Sequence, residues 1–379
     1  MLKSYLKTAF RFLLKNKTFS FINIFGLAAG TLCCLYILLY VQQQYSYDKH
    51  HNNAKNVYRV ATSLILTGDK HTMSSASPPI APAMKMDFPE VETYVRVLLT
   101  EKLGAKQHLL RYKDKSFYEQ SAVFVDSTFF DVFTYHFTYG KAKNVLNDPY
   151  TVVLLKPTAI KLFGNENPVG KVITIDNSYG KHDFKVMGVV DESQGKTHIA
   201  ANMFMTMNSG GFGDYVRKDN EWAGDNLTFT YIKLRPGANA ATLEKKFPAF
   251  ISKHGAQRLK ELGMTKVMHL IPVTAIHTTP YDFDITKNID PSFLYILILI
   301  AVLIQVIACI SFMNLSTARA SKRAKEVGVR KVIGAGQYDL VKQFLGESFL
   351  LSFIGVVIAL PLLWVLLPYL NDITRTDIH

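Results

Sequence analysis

The residues of this chain able to do chemistry are a glycine-rich segment, a scatter of 11 histidines and a close pair of aspartates. Gly164-Asn165-Glu166-Asn167-Pro168-Val169-Gly170-Lys171 is made of the types that bind phosphate, where glycine lets backbone N–H groups approach the anion and lysine neutralises it. One residue too many separates the glycines, and Val172 stands where a magnesium-binding Ser or Thr belongs, so the segment reads as a turn. His50 and His51 are adjacent, which on a helix or strand points their side chains apart, and no His-Glu-x-x-His pair exists. His198 and His277 read as surface or interlobe residues, and Asp282 and Asp284 as a solvated pair in a polar run. No Gly-x-Ser-x-Gly elbow is present. The expectation is no catalytic, metal-binding or cofactor-binding residue on this chain, and no enzyme activity of its own.

The elements that carry these residues are set by a membrane. The 379-residue chain is 49% hydrophobic, with a mean hydropathy of +0.10, which suits a few apolar spans joined to a water-soluble body. Phe19–Val41, Phe293–Leu315 and Phe349–Leu370 hold no Asp, Glu, Lys or Arg, and each has the roughly 20 residues needed to cross about 30 Å of hydrocarbon. The first is too long for a cleaved signal sequence and lacks a small-x-small site, so it reads as an anchor. Lys3, Lys7, Arg11, Lys15 and Lys17 precede it with no acid among them. Arg319, Lys322, Arg323, Lys325, Arg330, Lys331 and Lys342 lie between the second and third spans. Short basic segments stay in the cytoplasm, so the residues between the first two spans are exported. The net charge of +13 is then mainly a topology signal with some attraction for anionic lipid, and argues against nucleic acid as a partner. Cys33, Cys34 and Cys309 all fall within spans, leaving the exported part without disulfides.

The chain therefore divides into a basic amphipathic interfacial helix (1–18), a first span (19–42), an exported domain (43–290), a second span (291–315), a cytoplasmic loop (316–344), a third span (345–370) and an exported tail (371–379). The spacing of β-branched and aromatic residues predicts strands at Asn56–Leu66, Val95–Leu99, Phe117–Val125, Thr151–Leu155, Val172–Ile175, Phe184–Val190, Phe204–Met207 and Leu227–Leu234. Helices are predicted at Ser127–Phe133, Pro157–Phe163 and Thr242–Leu262, with Asn208–Asp214 as a loop. The fold class is membrane α-helical with three predicted transmembrane helices, plus an α+β extracytoplasmic domain of two lobes.

The cytoplasmic loop is the informative segment. Asn314–Ala335 carries Lys325-Glu326-Val327-Gly328-Val329-Arg330-Lys331 and Gly334-Ala335, and is followed by Gln343-Phe344-Leu345-Gly346-Glu347-Ser348. In the exported part stand Val57-Tyr58-Arg59-Val60, Leu162-Phe163-Gly164 with Glu166–Lys171, and Val186-Met187-Gly188-Val189-Val190. These motifs, in this order over nearly the whole chain, resemble the permeases of type VII ATP-binding-cassette (ABC) systems, the group of the macrolide exporter MacB, the lipoprotein-releasing permeases and the cell-division protein FtsX. The resemblance implies a MacB-like periplasmic core domain at 43–290 and an FtsX-like transmembrane domain at about 291–379 that lacks the family's fourth span, as in the front part of a larger permease. It implies a bacterial inner-membrane location, a separate cytoplasmic ATPase that holds ATP and magnesium, and a second permease copy or half. A periplasmic adaptor, and a substrate such as an antimicrobial peptide, macrolide or lipoprotein, would complete the system. Lys325 through Lys331 with Gly334 and Ala335 would then dock the ATPase, with Glu326, Arg330 and Lys331 forming charge pairs. The alternatives are an anchored sensor or regulator without transport, and an anchored exported enzyme.

Overall fold

The computed structural model describes residues 17–66, 68–281, 284–332, 337–374, 376 and 378; side chains at 319–328, 330, 331, 337, 339, 340, 343, 344 and 347 lie outside the described set. The chain forms two compact units, one of residues 1–43 with 291–379 and the other of residues 44–290.

The first unit holds three long helices: α1 (Lys17–Ser46), α8 (Pro291–Val332) and α9 (Gln337–Thr374). The parts apolar enough to span a bilayer are Lys17–Ser46, Pro291–Ala318 and Ser348–Thr374. Small residues let their backbones approach, the usual device where lipid removes any hydrophobic drive between helices. A Cβ added at Gly30 would stand 2.9 Å from the Ala308 methyl, and one at Gly355 would stand 3.1 Å from Leu27 Cβ. Large apolar side chains such as Leu299, Ile307 and Trp364 point outward uncovered.

The exported unit is built on a mixed sheet of thirteen strands among the described residues. They are β1 (Val57–Leu66), β2 (Asp69–Met73), β3 (Val91–Leu99), β4 (His108–Tyr112), β5 (Lys115–Glu119), β6 (Ala122–Val125), β7 (His136–Tyr139), β8 (Thr151–Leu155), β9 (Val172–Asn177), β10 (Gly180–Asp191), β11 (Met203–Thr206), β12 (Phe229–Leu234) and β13 (Met264–Pro272). The path runs β13-β1-β12-β3-β6-β11-β8-β10-β9-β4-β5, with β2 on β1 and β7 on β10. β8 with β10 and β6 with β11 are parallel. Short helices cover the sheet: α2 (Ile80–Asp87), α3 (Phe129–Val132), α4 (Lys156–Phe163), α5 (Phe212–Lys218), α6 (Ala240–Glu244) and α7 (Phe247–Glu261). In one lobe α2 and α7 pack on β1, β12 and β13 through Met84, Phe88, Phe247 and Phe250. In the other, α4 and α5 pack on β8 to β11 through Leu162, Phe163 and Phe212. A third core around Phe129, Phe133 and Phe204 joins them.

Three sequence expectations need correcting. The strand expected over Phe117–Val125 is two, because Ser121, at a φ of +55°, turns the chain between β5 and β6. The long helix over Thr242–Leu262 is broken between α6 and α7, where Lys245 caps the first and Pro248 opens the second. The loop expected over Asn208–Asp214 gives way at Phe212 to α5, which buries Phe212 and Val216.

One buried histidine is expected to make the domain acid-sensitive. His108 on β4 is fully buried. Asn177 Nδ2 donates to its Nδ1 at 3.1 Å, and its Nε2–H faces Thr100 Oγ1 at 2.9 Å. Turning the Asn177 amide to receive a second proton would break the bond its Oδ1 accepts from Tyr179 N, so the site is built for neutral imidazole. Burial pushes His108 down to about 4 against the opposing pull of Glu119. A folded pKa below the unfolded 6.5 gives stability that is complete above pH 6.5 and lost as pH falls toward 4. The expected loss is about 2 kcal/mol between pH 7 and 5 from this group, read as the urea midpoint at the two pH values. A His108→Gln variant should show the shallower slope.

Candidate functional site

The sequence-predicted coupling residues Lys325, Glu326, Val327, Gly328, Val329, Arg330 and Lys331 lie on α8, which continues 14 residues past Ala318, the end of its apolar part. Glu326 and Arg330 fall one helical turn apart. Val329 is exposed; the side chains of the other six, and all of Gly334 and Ala335, lie outside the described residues. So do Lys3, Lys7, Arg11 and Lys15 and the side chains of Arg319, Lys322 and Arg323, while Lys17 opens α1.

Sequence reasoning missed a second constellation, which the fold assembles where the chain enters and leaves the exported unit. α1 is unbroken to Ser46, and its last turn presents Gln44, whose Oε1 accepts from His277 Nε2 at 2.7 Å. The Tyr47 ring stacks on His277 at 3.6 Å between centroids. Both Gln44 and His277 are buried. The chain then turns at Asp48, which has a φ of +59°, a left-handed conformation that aspartate tolerates.

Asp48 is the centre of the network and has no exposed surface. Its carboxylate accepts from Thr197 Oγ1 at 2.8 Å, His198 N at 3.2 Å and His51 Nε2 at 3.3 Å. His198 Nδ1 lies 2.9 Å from Oδ2. The far nitrogens fix the tautomers. Thr134 N donates to His51 Nδ1, and the buried Tyr231 hydroxyl, held protonated by burial, sits 2.7 Å from His198 Nε2. Burial works against the Asp48 charge, but His198 and His51 together hold its carboxyl well below the usual range. Gly195 makes the approach possible, since a Cβ there would meet His50 at 2.8 Å; the next residue, Lys196, gives its carbonyl to Asp48 N.

The return side is built likewise. Arg59, opposite Tyr231 in the β1–β12 register, donates through Nη1 to Asp284 Oδ1 at 2.6 Å, with both side chains buried. Asn288 Nδ2 reaches Asp284 Oδ2, Ile276 O and Thr279 O, and Ile289 N donates to His277 O. Three expectations are corrected here. Of the surface or interlobe reading of His198 and His277, the surface half is overturned, since both are buried. Asp284 is paired with an arginine, not solvated; Asp282 lies outside the described residues. The rings of His50 and His51 do not point apart but lie 4.1 Å from each other, because the chain turns there.

Among the described residues the arrangement nearest to a hydrolytic pair is Ser77, whose Oγ accepts from Lys266 Nζ at 2.7 Å, with burial pushing that lysine down to about 7. Ser77 is fully buried, and Lys266 Nζ also donates to Trp222 O and Asn226 Oδ1, so the pair ties β13 to two loops. Among the described residues no His, Cys, Asp and Glu group could hold a metal ion.

Two family models match the chain: the MacB-like periplasmic core domain over residues 20–250 and the FtsX-like permease C-terminal over residues 282–378. The macrolide export ATP-binding/permease protein MacB of Mannheimia succiniciproducens is 24% identical over 256 residues, 65% of this chain and 35% of that protein. MacB of Aggregatibacter actinomycetemcomitans is 26% identical over 64% of this chain and 35% of its own length. The chain thus spans about a third of the length of the curated relatives it matches. The crystal structure of the periplasmic region of MacB from Actinobacillus actinomycetemcomitans aligns at 18% identity and a TM-score of 0.40, over 59% of this chain and 91% of that one.

Proposed function

The chain belongs to the MacB/FtsX family of ABC permeases, and from that membership we propose that it passes motion from a cytoplasmic ATPase to its exported domain. The observation that carries the reading is the continuity of its helices. α8 runs 42 residues without a break, about 63 Å at 1.5 Å per residue, and α1 runs 30 residues from Lys17 to Ser46. A continuous helix carries displacement along its length as a rigid body. The spans hold no charged side chain of the sort that lines an aqueous path, so the substrate moves outside the bilayer. ATP and magnesium belong to the ATPase, which docks on Lys325 to Lys331 and the Gly334-Ala335 turn. The outward apolar faces of α8 and α9 meet lipid and a second copy or half. The cargo is an amphipathic molecule such as a macrolide, peptide or lipoprotein, extruded with or without an adaptor.

Charge reversal tests the docking. Glu326→Lys and Arg330→Glu, each co-reconstituted with the ABC ATPase that co-purifies with this chain, are expected to lose about tenfold or more of partner-stimulated ATP hydrolysis, the range for removing one member of an interfacial charge pair. Full stimulation in both variants would remove these residues from the interface.

A further inference from the structure

The two connections of the exported unit to its helices are built differently. The outgoing one is helical to Ser46. The return one, from Thr279 to Asp290, has no regular secondary structure among its described residues before α8 begins at Pro291. A connection without helical hydrogen bonding passes displacement on only as far as side-chain bonds brace it. Geometry adds a second weakness. β1 and β13 are antiparallel neighbours with Tyr58 opposite Pro272, so the two arms join the pair at the same end. Forces that separate the arms load this pair in peel, where ladder bonds break one after another instead of sharing the load.

We propose that Gln44, His277 and Asn288 are positioning residues that yoke the outgoing and return arms into one rigid root, so that helix motion reaches the sheet. Asn288 gathers the return arm by its bonds to Ile276 O, Thr279 O and Asp284, and the Arg59–Asp284 pair fixes the arm to β1. Ile289 N closes onto His277 O, and His277 in turn donates to Gln44 in the last turn of α1 while stacking on Tyr47. The chain of contacts runs from one arm to the other without passing through solvent, since Gln44 and His277 are each 5% exposed. This role rests on the permease reading.

The test uses the full chain in lipid nanodiscs with the ATPase of the docking experiment, compared by hydrogen exchange with and without ATP and vanadate. In the wild type, trapping is expected to change exchange in β1 and β13. His277→Phe keeps the ring on Tyr47 and removes the N–H to Gln44; Asn288→Ala frees the return arm. Both are expected to keep ATP hydrolysis and to lower the melting temperature by only a few degrees while losing most of the trapping response, about tenfold, with residues 279–290 exchanging freely. If His277→Phe folds poorly, Gln44→Leu against Gln44→Glu carries the same comparison, since glutamate still accepts from His277 and should retain the response. A lowered melting temperature with an intact response would make these residues merely structural and overturn the yoke while leaving the permease reading in place. A wild type that hydrolyses ATP with the partner yet shows no response anywhere in residues 44–290 would overturn the permease reading, and the yoke with it.

Discussion

Asp48→Ala is expected to destabilise the exported domain by about 3–5 kcal/mol, the cost of breaking a buried charge network from its centre. The substitution strands the donors of Thr197, His198 N and His51 Nε2 in a site that water does not reach, and places alanine at a left-handed turn. Asp48→Asn separates the two causes. Asparagine tolerates the turn and keeps one acceptor, but its NH2 group faces donors, so a loss of about 2–3 kcal/mol is expected from the network alone. Because its folded pKa is depressed, Asp48 contributes stability that is present above the ordinary carboxylate pKa of 3.8 and lost as pH falls through the folded value. Trp222, buried against Phe250 and His254, is a ready reporter in a Trp364→Phe background. Urea unfolding of the full chain in detergent gives the difference, and an Asp48→Ala loss below about 1 kcal/mol would mean the network is not cooperative.

Breaking the Arg59–Asp284 pair from either side is expected to cost about 3–5 kcal/mol, whereas removing both charges costs much less than the sum. Arg59 has no exposed surface, and among the described residues its Nε and Nη2 have no hydrogen-bond acceptor, although the guanidinium lies 5.6 Å from the centroid of the Tyr281 ring. Asp284→Asn therefore leaves a buried guanidinium without its counter-charge. Arg59→Met is partly relieved because Asp284 still accepts from Asn288 and Ile285 N. The double variant Arg59→Met with Asp284→Leu removes both desolvation costs, and a double-mutant cycle measures the coupling. Additive losses would show that the two charges do not act on each other.

The membrane spans were legible because lipid imposes a composition that nothing else in the chain imitates. β8 was legible too: Thr151–Leu155 is a short, nearly continuous apolar run, as a strand buried on both faces must be. β4 and β13 escaped because each mixes charged and apolar residues. In β13, Lys266 and Met268 turn inward while Thr265 and Val267 stay exposed, so polarity does not track burial. The partners of the network at the root could not be read from the sequence. Asp48 and Arg59 lie far in sequence from His198 and Asp284, and each alone is a residue type that prefers water. One signal was available: the runs Tyr47-Asp48-Lys49-His50-His51 and Asp282-Phe283-Asp284 crowd titratable groups where the chain leaves and returns to the membrane. The segment proposed to dock an ATPase is the reverse case, a motif plain in the sequence while most of its side chains lie outside the described residues.

The strand order has a consequence for how the protein is made. β1 is the first strand to cross the membrane, and its two sequence-distant partners, β12 and β13, are the last. Only the short β2 can pair with it on emergence. During translocation β1 therefore waits with open hydrogen-bonding edges through most of the synthesis of the domain, a state that invites misassembly. The sheet closes around it only when Pro272 has crossed, shortly before the second span halts transfer. Export and maturation of the domain thus finish as one event, timed by its last strand.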